Sequence, residues 1–303
     1  NERFDVIYHL ASHVGQELSF QNPINDIKSN AVSTSIILKW CRENNISRLI
    51  FTSSVNVYGP IKNNPVDEKT PLNPKSPYAV GKIASEHLCN IYQDFGINST
   101  VFRFLNIYGP RQDINNLNQG MASIYMAYVK QKKPIIIKGS LERYRDFTYV
   151  TDAVDALYKC LINPISYGKT YVLSSGVKTK VSELINKILL AFGENPKKYP
   201  LVNDKSTIND QFGFFGNSQL LKNNSEIHYI IDSESYPLSD DYAPCVFENG
   251  EKVDTPMFLN TQVKHAVFNN EKTRISFNIS FQEDIEDCVK IFERLEKYEF
   301  KTS

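Results

Sequence analysis

"SPYAVGKIASEHLCNIYQDFG", residues 76–96, decides how this chain is read. Ser76 is a natural N-cap, because its hydroxyl oxygen can accept from an orphan backbone N–H of a first helical turn. Pro77 is a natural first helical residue, having no N–H to leave unsatisfied. A helix begins there and Gly96 ends it. Tyr78 then falls in the first turn, and Lys82, four residues on, shares its face. The helix follows "SRLIFTS" (47–53), an apolar run too short for a helix and suited to a buried strand.

The same pairing of short apolar run and helical pattern extends in both directions. Upstream, "FDVIYHLA" (4–11) reads as a strand. "DIKSNAVSTSIILKWCREN" (26–44) reads as a helix in which Ile36, Ile37, Trp40 and Cys41 recur at helical spacing. Downstream come a strand at 99–109, a helix at 121–133, "PIIIKG" (134–139), a helix at 152–163, "KTYVLSS" (169–175) and a helix at 181–193. Strands alternating with helices imply right-handed crossovers, and hence an α/β, doubly wound, mostly parallel sheet covered on both faces.

After about Leu221 the character changes. Residues 223–303 are polar and turn-rich at first, with Asn249-Gly250 favouring a tight hairpin. "RISFNISF" (274–281) then alternates strictly, as a half-exposed antiparallel strand does, and 283–300 form an amphipathic helix. A boundary near residue 222 is expected, with a small β-rich segment beyond it. Over the whole 303 residues, Lys plus Arg and Asp plus Glu are both 34, so no basic field speaks for nucleic acid. No apolar run is long enough to span a membrane. The five cysteines are scattered without a C-x-x-C pair, which favours buried, reduced thiols over zinc or disulfides, and a cytoplasmic protein.

Chemistry converges on the start of the 76–96 helix. The Lys82 ammonium and the partial positive charge of the helix N-terminus both favour a phenolate at Tyr78. A phenol of ordinary pKa about 10 is thereby expected to fall toward neutrality and serve as a general base. Ser54 runs off the end of the 47–53 strand, at the carboxyl edge where ligands of doubly wound sheets collect, and could relay a proton. Taken singly, Ser54 is more simply a turn residue and Tyr-x-x-x-Lys a common coincidence.

Six blocks in order, "IYHLAS", "SNAVSTSIILKWCRENNISRLIFTSSVNVYG", "SPYAVGK", "FRFLNIYGPRQ", "YRDFTYVTDAVDAL" and "DQFGFFG", resemble the NAD-dependent epimerase/dehydratase family of extended short-chain dehydrogenases, most closely its UDP-glucose 4-epimerase branch, over about residues 4–222. The resemblance implies a Rossmann-like fold, NAD as cofactor, a nucleotide-sugar substrate and a possible homodimer. It assigns Ser54, Tyr78 and Lys82 to catalysis. It puts Leu10, Ala11, Ser12, Ser29, Asn30 and Leu105, with Tyr78 and Lys82, against the cofactor, and Asn106, Asn118, Gln119, Arg145 and Asp210 at the substrate. Arg145 offers a planar cationic fork suited to a pyrophosphate; its simpler reading is a structural pair with Asp146 or Asp152. Dehydratases of the family are expected to carry Asp-Glu after the serine, whereas Val55 and Asn56 stand here. That favours C4 epimerisation through a 4-keto sugar over a dehydratase or reductase.

The resemblance is incomplete at both ends. No G-x-x-G-x-x-G or G-x-G-x-x-G occurs, so the chain reads as lacking the first three strands of the family sheet and is expected to be impaired as supplied. "VIYHLA" (6–11) would then expose an edge. Residues 256–281 weakly resemble the distal half of an iron/2-oxoglutarate oxygenase, with His265 as an iron ligand and Arg274 as a 2-oxoglutarate contact. No H-x-D or H-x-E accompanies them, so a working metal site is not expected. A non-catalytic fragment is the remaining alternative.

Overall fold

A computed structural model describes residues 4–13, 15–109, 112, 117, 120–206, 211–225, 268–270 and 273–277. In chain order its elements begin with β1 (Val6–His9), α1 (Gln16–Gln21), α2 (Pro23–Ile27), α3 (Ser33–Glu43), β2 (Arg48–Ser54) and α4 (Pro77–Ile91). Next come β3 (Asn98–Phe104), β4 (Asn106–Tyr108), α5 (Met121–Lys130), β5 (Ile135–Lys138), β6 (Tyr144–Arg145), β7 (Phe147–Tyr149) and α6 (Val150–Ile162). The remainder are β8 (Thr170–Leu173), β9 (Thr179–Lys180), α7 (Val181–Ala191), β10 (Leu201–Asp204), α8 (Gln219–Ser225), β11 (Phe268–Asn270) and β12 (Thr273–Phe277).

The main sheet has the order β11-β12-β1-β2-β3-β8, with β12, β1, β2, β3 and β8 mutually parallel and β11 antiparallel to β12. Alternate side chains of its strands go to opposite layers, as the two-residue period of a strand requires. Val6, Tyr8, Ile50, Phe102 and Tyr171 pack under Ala153, Ala156, Leu157 and Cys160 of α6. Ile7, Leu49, Phe51 and Val101 pack under Ile37, Leu38 and Cys41 of α3 and Cys89 of α4. Continuous apolar strands with helices on both faces are the doubly wound architecture expected from the sequence. Described thiols at Cys41, Cys89 and Cys160 are free and buried. Arg48 is buried too, and its guanidinium caps the carbonyl end of α6, donating to Cys160 O at 2.6 Å and Leu161 O at 3.2 Å.

Three elements differ from expectation. The 26–44 helix is not continuous: Lys28–Val32 form a π turn between α2 and α3. The 99–109 strand breaks at Leu105, so that β4 leaves the main sheet and pairs with β7. The alternating 274–281 stretch contributes β12, antiparallel to β11 as its pattern suggested, but its other edge lies parallel on β1, with Val6 opposite Ile275. The edge of β1 expected to be bare is thus paired, and the oxygenase likeness gains no support. His265 lies outside the described residues.

A smaller lobe of α5, α7, β5 and β10 has its own core around Tyr125, Ile135, Ile137, Leu184, Ile185 and Ile188. It is tied back to the sheet by Asp146. That buried carboxylate accepts from Ser175 N (2.7 Å), Ser175 Oγ (2.6 Å), Gly176 N (2.8 Å) and Gly216 N (3.1 Å). Among the described residues no helix is long and apolar enough to cross a membrane.

Candidate active site

The carboxyl edge of the sheet gathers the predicted residues. β1 and β2 are in register with His9 opposite Phe51. Continuing that register past the strand end brings Ser12 to the level of Ser54, the last residue of β2. Ser54 caps the short 3₁₀ turn Val55–Tyr58, its hydroxyl accepting from Asn56 N at 3.3 Å. That turn ends at Gly59, with φ +61°, where a Cβ would run into the Asn73 carbonyl.

α4 starts as the sequence dictates. Ser76 Oγ accepts from Ala79 N at 3.2 Å and Pro77 occupies the first turn. Tyr78 and Lys82 are both buried. The Ser54 and Ser12 hydroxyls lie near enough to the phenol to favour its ionised form against burial, so the serine and tyrosine expected to cooperate are brought together. Lys82 Nζ donates to Thr52 O at 2.9 Å and lies 5.8 Å from the Tyr78 ring centroid and 4.9 Å from that of Phe51. Gly81 lets α4 approach the π turn closely; a Cβ there would come within 2.9 Å of Asn30 Cβ. Asn30 consequently sits beside the pair, accepting from Ser12 Oγ at 2.7 Å.

Electrostatics at the phenol run opposite to the expected direction. Burial pushes Tyr78 up to about 12, while its bonds to Ser54 and Ser12 pull the other way and the Asp26 charge adds to the rise. Burial likewise pulls Lys82 down to about 7, partly opposed by Asp26 and Glu86. Desolvation outweighs the cation because the ammonium is directed at the Thr52 carbonyl rather than at the phenol oxygen. Sequence spacing conveys neither burial nor that aim.

Of the residues assigned to the cofactor, Ala11, Ser12, Asn30 and Leu105 are buried and Leu10 packs on the layer under α6. Ser29 serves the helix, its carbonyl accepting from Ser33 Oγ at 2.7 Å. Hydroxyls, an amide and an ammonium gathered at Ser12, Tyr78, Asn30 and Lys82 are the donor set that ribose hydroxyls require, so the residues present fit the nucleoside part of a dinucleotide.

Of the substrate candidates, Arg145 is buried, lies 4.8 Å from the Phe214 ring centroid and donates to Tyr144 O at 2.8 Å. Burial lowers its pKa to about 10, helped by Arg143. Asn106 Nδ2 donates to Asp146 O at 2.8 Å, fixing it beside Arg145 in the chain. Asn118, Gln119 and Asp210 lie outside the described residues. Gln211 and Asp26 escaped the sequence reading. Gln211 brackets the turn after Ser54, donating to Gly59 O and accepting from Ile61 N at 3.1 Å. It joins Asn56, Lys75 and Ser76 in lining a recess next to the Ser54 and Tyr78 segments. Asp26 and His13 pair at 2.9 Å; their thirteen-residue separation carries no periodic signal.

The model of the NAD dependent epimerase/dehydratase family matches residues 1–174. The chain belongs to that family. Among curated relatives, a protein described as an uncharacterized UDP-glucose epimerase of Bacillus subtilis, YtcB, is 34% identical over 62% of this chain and 58% of its own length. A UDP-glucose 4-epimerase of Mycolicibacterium smegmatis is 32% identical over 65% of this chain and 63% of its own length. The chain thus spans about three-fifths of the length of these relatives. The crystal structure of a Thermotoga maritima UDP-glucose 4-epimerase with UDP-glucose shares the fold, with a TM-score of 0.72, 24% identity and coverage of 77% of this chain and 74% of that one. Within the family fold, Ser54, Tyr78 and Lys82 occupy the carboxyl edge that the strand order places at the ligand side.

Proposed function

We propose that this chain carries the catalytic core of an NAD-dependent epimerase that inverts C4 of UDP-glucose or a related UDP-sugar. The observation that carries the proposal is the nearness of the Tyr78 phenol to Ser54 at the end of β2, with Val55 and Asn56 following where a dehydratase needs carboxylates. Elimination of water requires an added acid and base; proton transfer at a hydroxyl does not. UDP-sugar epimerases among the curated relatives support the same choice.

In this reading Ser54 receives the sugar 4-hydroxyl and passes its proton to Tyr78. Lys82 and Asn30 would hold the cofactor ribose, and Leu10, Ala11 and Leu105 would wall it. When bound, NAD would supply a reversible acceptor for the C4 hydride, which returns to the opposite face of the 4-keto sugar, and a positive charge favouring the phenolate. The 4-keto sugar turns over, and Tyr78 returns the proton on the way back. Arg145 would take the pyrophosphate, and Asn106, Asn118, Gln119 and Asp210 would bind the rest of the sugar nucleotide.

In this reading the catalytic unit extends to about residue 222, within α8, and β11 and β12 from beyond it join the main sheet. A homodimer is proposed on the α3–α4 face, where Val80 is 47%, Ile91 52% and Phe95 49% exposed. The substrate, a multiply charged nucleotide sugar that does not cross membranes unaided, puts the enzyme in the cytoplasm. Incubation with UDP-glucose and product analysis by NMR tests the reaction: UDP-galactose is expected. A 4-keto-6-deoxy product would replace epimerisation by dehydration, and an unchanged sugar in the presence of saturating NAD would reject the proposal.

A further inference from the structure

Behind the Ser54 and Tyr78 segments lies a buried ion pair, Arg103 of β3 with Glu86 of α4. The parallel register of β2 and β3 sets Ser53 opposite Arg103, so both side chains leave the face of the sheet that α4 covers. There they meet one carboxylate. Arg103 Nη2 donates to Glu86 Oε2 at 2.7 Å and its Nε to Oε1 at 3.1 Å, while Ser53 Oγ donates to the same Oε1 at 2.5 Å. The other arm of the guanidinium turns away from α4. Its Nη1 donates to the Tyr58 hydroxyl at 3.2 Å and to the Glu68 carbonyl at 3.4 Å. Tyr58, buried as well, gives its own hydroxyl hydrogen to the Asp67 carbonyl at 2.9 Å.

These contacts join the elements that carry the proposed chemistry. Ser53 immediately precedes Ser54, and Tyr58 closes the 3₁₀ turn that Ser54 caps. Glu86 and Tyr78 belong to the same helix, which Lys82, between them, fastens to Thr52 O. One planar fork on β3 therefore holds the end of β2, the turn after it and α4 at a fixed spacing. A buried ion pair is a poor device for stability alone, because apolar side chains of like volume avoid its desolvation cost. What the guanidinium adds over apolar packing is direction: each N–H fixes one partner atom.

We propose that Arg103 is a positioning residue: through Glu86 and Tyr58 it sets the Ser54 hydroxyl against the Tyr78 phenol. The proposal rests on those two being the reacting pair. The test replaces the whole ion pair by apolar side chains of similar volume, Arg103→Met together with Glu86→Leu, so that no lone charge is left buried. In the full chain this double variant is expected to melt no lower than the parent. Its kcat for UDP-sugar interconversion should nevertheless fall about 10–100-fold, as misplaced reacting groups dictate. KM should change little, because no residue assigned to the nucleotide is touched. The Asn56 amide, which donates to Ser54 Oγ, should exchange its hydrogen about tenfold faster by NMR, a measurement that needs no turnover. Arg48→Lys loosens the buried cap on α6 at the opposite end of β2. It should lower the melting temperature without moving kcat or the Asn56 amide. A folded double variant overturns the proposal if its kcat or its Asn56 exchange is that of the parent. Should that variant not fold, Tyr58→Phe, which removes only the hydroxyl between Arg103 and Asp67, is read in the same way. An inactive parent chain would reject the epimerase reading, and the Asn56 amide would then decide the positioning role by itself.

Discussion

Replacing Lys82 by Met should trade pH-dependent instability for lost turnover. The ammonium is 2% exposed, and burial takes its pKa from 10.5 to about 7. In the unfolded chain the ordinary value returns. Between the two values the unfolded state binds more protons than the folded one, so stability rises with pH at about 1.4 kcal/mol per unit. Below pH 7 the lysine is protonated in both states and the penalty is complete, roughly 4–5 kcal/mol as a ceiling. From pH 9 down to pH 6 this one group removes roughly 2–3 kcal/mol. Methionine has a similar length and no charge, so Lys82→Met loses that slope, against a pH-independent loss of about 1 kcal/mol for the bond to Thr52 O. Urea unfolding of both proteins at pH 6 and pH 9 reads the effect, because every other titrating group cancels in the comparison unless it contacts Lys82. Equal pH slopes for the two proteins would refute the reasoning.

Tyr78→Phe removes the proton carrier while keeping the ring, and should abolish UDP-sugar interconversion in a coupled assay without lowering the melting temperature. Glu86→Gln leaves Arg103 charged and buried, since Glu86 accepts from its Nε and Nη2; urea titration should show a loss of about 3–5 kcal/mol. Gly59→Ala meets the Asn73 carbonyl at φ +61°, whereas Gly193→Ala, at φ +73°, has open space around it. Thermal melts should therefore place the first below the second, by about 1–3 kcal/mol of stability.

Much of this architecture is written in short-range pattern. β1, β2 and β8 each centre on a three-residue apolar run, Val6–Tyr8, Leu49–Phe51 and Tyr171–Leu173, and α4 announces itself through Ser76 and Pro77. What escapes such reading depends on partners far along the chain. The π turn at Lys28–Val32 lies against Gly81 on α4, about fifty residues along the chain, a contact that no helical period registers. The break at Leu105 follows from β7 capturing Asn106–Tyr108. β12 alternates as an antiparallel strand should, and nothing in that alternation names β1 as its second neighbour. The Tyr78 phenol is the instructive case: spacing correctly put the lysine one turn away, yet depth of burial and the direction of the ammonium, both tertiary properties, reversed the expected shift.

Asp146 has a consequence for how substrate choice could change over time. Its carboxylate rivets the segment bearing Arg145 to the loops after β8 and to Gly216 with four donors, so the cation beside it cannot drift when surrounding loops are lengthened or exchanged. If Arg145 holds the nucleotide as proposed, variation in the sugar moiety can be absorbed by those loops while that cation stays put, so that one rigid half could serve many donors.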